Sequence, residues 1–185
     1  MNASKPLRLW VPLAVSLVIP LALIALAGLC IIARHRGDRE KFALFVAAEN
    51  GDLEDVKRLV QQGAPINLKV AESFGWTPLI AAIFHNQTNV AHYLIQQGAD
   101  VNAVDSRGMT ALMWATGHGD EALPLVTDLI AHGADPEAKD KHGSSVLDYA
   151  RSAPPKPELA RAVEAAAVER RSRSLQQQKK EGPSR

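Results

Sequence analysis

The chain has 185 residues, a formal net charge of +1 and one cysteine, which excludes an internal disulfide framework and a cysteine-rich zinc site. The charge is unevenly placed: residues 42–169 carry 9 lysines and arginines against 17 acidic residues, whereas the rest of the chain carries 12 against 3. An acidic body argues against nucleic-acid binding, because that function relies on lysine and arginine to neutralise phosphate.

The first predicted element is a transmembrane helix over residues 9–33, which follows a short flank of residues 1–8. These 25 positions contain no charged residue. As a helix they extend about 37 Å, enough to span a hydrocarbon core of about 30 Å. Trp10 falls where interfacial aromatic residues are found, and Pro20 is expected to kink the helix. The sequence therefore predicts a single-pass anchor in the lipid bilayer.

A cleaved signal peptide is the alternative interpretation of this segment, because Ala25-Leu26-Ala27 fits an A-x-A cleavage site. The chain stays apolar beyond that site, which favours an uncleaved helix. Residues 34–41 form a basic juxtamembrane linker, with four lysines and arginines against two on the N-terminal side of the span. This bias predicts that the C-terminal side lies in the cytoplasm.

Beyond the linker the sequence repeats itself every 35 residues. QQGAPIN occurs at 61–67, QQGADVN at 96–102 and AHGADPE at 131–137. Apolar helical patterns precede each motif, and further upstream stand FALFVAAENGD, WTPLIAAIFHN and MTALMWATGHGD. Such a period is typical of repeat architectures. These motifs resemble the ankyrin repeat, whose signature includes T-P-L-H-x-A-A and G-A-D-V-N.

The resemblance covers residues 42–170 and implies an all-α repeat solenoid, with helix–turn–helix repeats joined by short β-hairpin loops and preceded by the transmembrane helix. About three full repeats and a closing unit are expected. Thr77, Thr110 and Ser145 are placed to cap the first helix of a repeat. The segments Asp105-Ser106-Arg107-Gly108 and Asp140-Lys141-His142-Gly143 are predicted hairpin turns.

Several departures from the repeat pattern are visible in the sequence. The first hairpin is two residues longer than the second and carries Phe74 and Trp76 near its tip. The third repeat has two extra residues after Gly119, so that its second helix is predicted to start near Pro124. A closing helix is predicted over 158–169, and residues 171–185 are expected to be a disordered basic tail.

Catalytic chemistry is not indicated by any motif. The sequence lacks HExxH, G-x-S-x-G and the phosphate-binding glycine patterns, and we expect no cofactor, no metal and no small-molecule substrate. Histidines 85, 92, 118, 132 and 142 include no pair at i,i+4 spacing on one helix. His85, His118 and His132 fall at ordinary surface places in the ankyrin family. Ser145 near His142 and Asp148 suggests a triad only superficially, because the hydroxyl is already assigned to capping.

The resemblance implies a protein partner, bound through hairpin tips and the concave side of the first helices. The residues placed there are Phe74, Trp76, Phe84, His85, Arg107, Met109, His118, Lys141 and His142. Large aromatic residues often dominate binding energy, so Trp76 and Phe84 are the predicted anchors. The alternative is that Phe74 and Trp76 fold back to pack the longer first hairpin. Trp114 is expected to pack in the core. An exported module that assists or shields another protein, and a purely structural anchor, are the alternative functions.

Overall fold

The computed structural model describes residues 42–152 and 156–181. The transmembrane helix predicted at 9–33 and the linker predicted at 34–41 lie outside this range, as do residues 182–185. Within the two described ranges, no helix combines the length and the apolar character that crossing a membrane requires.

Eight α-helices form in the described residues, and they alternate between first and second helices of a repeat. They are α1 (42–50), α2 (Leu53–Gln61), α3 (Pro78–Phe84), α4 (Thr88–Gln96), α5 (Ala111–Thr116), α6 (Leu123–Ala131), α7 (Val146–Arg151) and α8 (Pro157–Glu181). Two short 3₁₀ helices, Ala71–Ser73 and Asp120–Ala122, occupy the two predicted insertions. The helix α6 begins at Leu123, which confirms the predicted start near Pro124.

The helices form two layers that share one core. In the first layer α3 packs on α5 and α5 on α7, while in the second α2 packs on α4, α4 on α6 and α6 on α8. Leu79 and Leu112 from the first layer, and Leu94 and Leu129 from the second, are almost completely buried. Each repeat thus buries its apolar face against its neighbours, which is the packing of a solenoid.

The predicted caps of the first helices are confirmed. The Thr77 hydroxyl accepts a hydrogen bond from the Ile80 amide, and the Thr110 hydroxyl accepts one from the Met113 amide. Ser145 forms a capping box in which the Asp148 carboxylate accepts a bond from the Ser145 amide. These bonds satisfy amides that the helix itself leaves unpaired, so the short first helices begin at fixed residues.

The β-hairpin loops between repeats contain isolated antiparallel bridges rather than extended strands in the described part of the chain. The bridges join Val104 to Thr110 and Lys139 to Ser145, and a third joins Val70 to Trp76 in the longer first hairpin. Gly108 and Gly143 donate to the carbonyls of Asp105 and Asp140, as expected for the two predicted turns.

Helix α8 is longer than the sequence indicated. It has 25 residues, whereas α2, α4 and α6 have 9 each. The disorder predicted for residues 171–185 is therefore wrong for 171–181, which continue this helix. Once a helix is nucleated, each added residue costs little, and Ser, Gln, Lys and Arg are acceptable helix formers. Ion pairs from Arg170 to Asp135 and from Arg171 to Glu137 also fasten it to the preceding loop.

Candidate protein-recognition surface

An inward-facing carboxylate organises each of the last two hairpin tips. One oxygen of Asp105 accepts hydrogen bonds from the amides of Arg107 and Met109, at 2.8 and 2.9 Å. The other oxygen accepts a bond of 3.3 Å from the indole nitrogen of Trp114. Because three donors of the same repeat converge on this buried side chain, the tip is held against helix α5 in one conformation.

Asp140 repeats the arrangement one unit later. Its carboxylate accepts from the amides of His142 and Ser144, and from the Tyr149 hydroxyl at 2.8 Å. The Tyr149 hydrogen bond lowers the pKa of Asp140 more than either amide does. Burial, followed by the same hydrogen bond, raises the pKa of Tyr149. In both tips an aromatic donor nine residues after the aspartate thus completes the scaffold.

Backbone hydrogen bonds join successive tips in a row. The Ser106 amide donates to the Phe74 carbonyl at 2.8 Å, and the Lys141 amide donates to the Arg107 carbonyl at 2.9 Å. The spacing of the side chains along the tips is therefore fixed by backbone geometry. The predicted residues Phe74, Arg107 and Lys141 follow one another along this row.

Four aromatic rings and one guanidinium form a continuous cluster between the tips and the first helices. We call the surface made by Phe74, Trp76, Phe84, Arg107 and Trp114 the aromatic surface. Ring centroids lie 4.5 Å apart for Trp76 and Phe84, 5.0 Å for Phe84 and Trp114, and 6.1 Å for Phe74 and Trp76. Tilted and edge-to-face contacts at these distances are favourable beyond the burial they provide.

Exposure divides this cluster into a base and a surface. Trp76 is 8% exposed, whereas Phe84 is 40% and Phe74 is 63% exposed. The exposure predicted for Trp76 is therefore wrong: its ring is covered by Phe84 and Trp114 and supports the two phenylalanines. The exposure predicted for Met109 is wrong as well, because this side chain, at the position equivalent to Trp76, is buried.

Phe74 adopts a backbone conformation that phenylalanine disfavours. Its φ is +56°, in the left-handed region. Asn86 has a similar φ of +57°, but asparagine tolerates this region better than most residues. A bulky residue held at positive φ is an outlier that often marks a functional position. The longer first hairpin thus presents an exposed aromatic ring, at a cost in backbone conformational energy that a glycine at this position would not have.

The core position predicted for Trp114 is only partly right. Its ring packs on Trp76 and Phe84, but it remains half-buried and its outer face carries the Arg107 guanidinium at 4.7 Å from the centroid. This stacking is a cation–π contact. Trp114 therefore takes part in the surface as the platform for Arg107.

The remaining predicted residues lie beside the cluster rather than in it. His85 contacts the edge of the Phe84 ring, and its Nε2 lies 3.3 Å from a Glu49 carboxylate oxygen. His118 is half-buried, whereas Lys141 and His142 are exposed on the last tip. The structure thus brings Phe74, Phe84 and Arg107 together and places the two histidines of the first helices at the margin.

Sequence analysis did not find the carboxylate scaffold of the tips. The signal was present: both Asp105 and Asp140 open a D-x-x-G turn, and an aromatic residue follows each of them nine positions later, at Trp114 and Tyr149. A contact between repeats, in which the Nδ1 atom of His92 lies 2.6 Å from the Asp128 carboxylate, was not predicted either. His132, at the end of the helix that contains Asp128, lies 3.1 Å from the same carboxylate.

Metal-binding geometry is not found in residues 42–152 and 156–181, where no group of three or more potential ligands is suitably placed. His85 approaches Glu49 and His92 approaches Asp128 across neighbouring helices, whereas His132 approaches Asp128 from the end of the same helix.

Comparison with known families agrees with the fold and the tips. A family model described as ankyrin repeats (3 copies) matches residues 26–105 and, in a second match, residues 44–140. These matches cover more than half of the chain, so the protein belongs to the ankyrin-repeat family. Ankyrin repeats indicate a protein–protein interaction module.

Similar proteins come from animals and bacteria. The chain is 41% identical over 110 residues to the B-cell lymphoma 3 protein homolog of Mus musculus, covering 60% of this chain and 24% of that protein. It is 34% identical over 108 residues to an ankyrin repeat-containing protein of Treponema pallidum, covering 58% and 35%. For ankyrin repeat and SAM domain-containing protein 6 of Rattus norvegicus, identity is 33% over 118 residues, covering 62% and 13%. The chain thus spans between 13% and 35% of the length of these relatives.

Proposed function

We propose that the protein is a membrane-tethered interaction module that recognises a partner protein through the aromatic surface and acts without catalysis. The observation that carries the proposal is the exposure of Phe74 and Phe84 above the buried Trp76. Adjacent exposed aromatic rings on a rigid base match the composition of binding hot spots. The positive φ of Phe74 adds support, since this disfavoured conformation presents a ring that is 63% exposed.

The tether is supported by the 25 uncharged residues of 9–33 and by the basic residues that follow them. A helix anchor holds the repeats at the bilayer. There they bind a partner that diffuses in the membrane, or recruit a partner to it. The proposed location of the repeats is the cytoplasmic side.

The test uses the full chain in its native membrane, with a photo-reactive amino acid in place of Phe84. Illumination is expected to give one discrete cross-linked product with a partner protein. In chains without the photo-reactive amino acid, the substitutions Phe74→Gly and Phe84→Ala are each expected to weaken recovery of that partner at least tenfold. Truncation of a hot-spot residue costs about 2 kcal/mol or more, and a tenfold loss of affinity corresponds to only about 1.4 kcal/mol.

Matched controls are available at valines of equal exposure outside the aromatic surface. Val104 is 40% exposed, like Phe84, and Val168 is 65% exposed, close to Phe74. Val104→Ala and Val168→Ala are expected to recover the partner at the natural level. Equal recovery by all four variants would show that the partner uses a different surface.

A further inference from the structure

Arg107 is held ready to receive a carboxylate. Its guanidinium lies 4.7 Å from the Trp114 ring centroid, and its Nε lies 3.7 Å from an Asp105 oxygen. Its two terminal nitrogens make no hydrogen bond to other described residues, and the side chain is 49% exposed. A guanidinium oriented by a ring and a carboxylate presents a planar pair of donors, which suits bidentate binding of a second carboxylate.

The charges along the tips favour an anionic partner. The Asp105 side chain has no exposed surface, and its oxygens are occupied by the tip amides and Trp114. Asp140 is buried in the same way, whereas Lys141 next to it is exposed. Arg107 and Lys141 therefore face solvent, whereas Asp105 and Asp140 face inward. A ligand that approaches these two tips meets exposed cations before it meets either carboxylate.

The apolar half of the site adjoins this charge. Phe84 contacts the Trp114 ring that carries Arg107, and the Phe74 carbonyl accepts a bond from Ser106, which immediately precedes Arg107. One ligand segment can thus contact Phe74, Phe84 and Arg107 together.

We propose that the aromatic surface binds an acidic segment of its partner, in which a carboxylate pairs with Arg107 and a neighbouring large apolar side chain packs on Phe74 and Phe84. This inference rests on the proposed function and specifies the chemistry of the partner. Charge complementarity then steers the segment to the tips, and the phenylalanines hold it there.

A nucleic acid is the competing ligand for exposed cations. Residues 42–169 carry a net charge of −8, which opposes a long polyanion with closely spaced phosphates. A short acidic segment makes the same local contacts but brings fewer negative charges close to the acidic body. Recognition of an acidic peptide is therefore favoured over recognition of a phosphate backbone.

The test is a selection of random dodecapeptides displayed on phage against the full chain in lipid nanodiscs. Selected peptides are expected to be enriched in Asp and Glu adjacent to a large apolar residue. Binding of a selected peptide, synthesised with a fluorophore, should weaken at least about tenfold in Arg107→Gln, because a charge-assisted hydrogen bond contributes about 1.5–3 kcal/mol. Lys57→Gln is the matched control: it removes an equal charge from helix α2, where Lys57 pairs with Glu54.

Selected peptides without acidic enrichment, or an absence of binders, would overturn the acidic-partner inference. Equal weakening by Arg107→Gln and Lys57→Gln would overturn it too, since the effect would then be one of net charge. A fluorescent oligothymidylate that binds in an Arg107-dependent manner would assign the surface to nucleic acid instead. If the cross-link from position 84 still captures its partner in any of these cases, the proposed function stands and only the partner chemistry is wrong.

Discussion

Two aromatic residues of the first hairpin have opposite roles although they stand two positions apart. Trp76 points into the cluster and has a buried indole nitrogen without a hydrogen-bond partner among the described residues. Phe74 points outward at positive φ. Trp76 therefore stabilises the fold, whereas Phe74 contributes exposed aromatic surface.

Trp76→Ala is expected to destabilise the repeats by about 3–5 kcal/mol, because it leaves a cavity beneath Phe84 and Trp114. Trp76→Phe is expected to cost less than half as much, since it keeps most of the ring and removes the unpaired donor. Chemical denaturation of a fragment that begins at Asp38 would measure both changes. Trp76→Ala with wild-type stability would contradict the structure around this ring.

Phe74→Gly serves as the comparison at the exposed position. Relief of the left-handed backbone recovers about 1–2 kcal/mol, and the greater entropy of unfolded glycine offsets roughly 0.5–1 kcal/mol of it. Stability is therefore expected to change little while the exposed ring is lost. A large loss of stability would show that Phe74 is a packing residue.

The Asp140 carboxylate gives the fold a pH dependence that can be traced to one hydroxyl. Its folded pKa lies below the ordinary value, so its contribution is present above about pH 4 and is lost as the pH falls through the folded pKa. Tyr149→Phe removes the largest cause of the shift. In this variant the pKa of Asp140 is expected to rise toward the ordinary value. The variant should therefore lose less stability than the wild type between pH 5 and pH 2, an interval that includes the usual aspartate pKa of about 3.9.

Carboxyl NMR titration of both proteins would measure these pKa values, and urea denaturation would measure the stability difference at each pH. Tyr149→Phe leaves the amide donors of His142 and Ser144 in place, so a partial shift is expected to persist. An unchanged Asp140 pKa in the variant would show that the amides alone lower it.

Residues with a backbone role could be predicted from the sequence, whereas the burial of two predicted surface residues could not. Thr77 follows from the repeat pattern because its capping role depends on local geometry. Trp76 and Met109 were placed at a variable surface position by register alone. The burial of Trp76 depends on ring contacts with Phe84 and Trp114 from other segments, which no local pattern records.

At the scale of the elements, helix α8 acts both as the second helix of the last unit and as an extension. Leu159 and Val163 are buried against the preceding unit, as predicted for a closing helix. The Leu159 amide also donates to Asp120 at 3.4 Å, so the insertion in the third repeat contacts the start of α8. The insertion was predicted from the repeat length, but its contact with the closing helix depends on tertiary packing.

Among the described residues, the first layer has no comparable cover at its C-terminal end. Leu147 is only half-buried, although the equivalent Leu79 and Leu112 are 1% and 0% exposed beneath the following repeats. A cavity of about 440 Å³ lies there, lined in part by Leu147, Val163 and Ala167. Helix α8 therefore closes the second layer more completely than the first.

Truncation after Ser152 is expected to lower the free energy of unfolding by roughly 3–6 kcal/mol, because burial of a Leu or Val side chain contributes about 1.5–3 kcal/mol and both Leu159 and Val163 are lost. The exposed faces of α6 and α7 should also promote aggregation. Truncation after Ser174 is the control, since it removes the exposed Leu175 and keeps the ion pairs of Arg170 and Arg171.

Thermal denaturation and light scattering would compare the two truncated proteins with the complete fragment. The shorter one is expected to melt earlier and to associate, while the longer one should resemble the parent. A monomeric protein truncated after Ser152 with an unchanged melting temperature would show that α8 is dispensable for the solenoid.

At the scale of the whole molecule, the repeats could be predicted because the period, caps and turns agree with one another. The location of the molecule depends on a different segment, residues 9–33, whose composition alone predicts the anchor. The ankyrin match begins at residue 26, so its start overlaps the apolar run by eight residues. The anchor is therefore the proposal that most needs a direct measurement.

The full chain is expected to remain in the membrane fraction through an alkaline carbonate wash, because 25 uncharged residues inserted as a helix are not extracted by removing surface charge interactions. Mass spectrometry of the membrane-bound protein should show that the segment is retained. A mature chain that begins at Gly28 would establish cleavage after Ala27 and remove the tether. Deletion of 9–33 should move the protein out of the membrane fraction, whereas deletion of 175–185 should not.

Reporters fused after Lys41 are expected to be active in the cytoplasm, as the four basic residues after the span predict. Activity only outside the cytoplasm would leave the anchor in place and reverse its orientation, so that the aromatic surface would then meet exported rather than cytoplasmic partners.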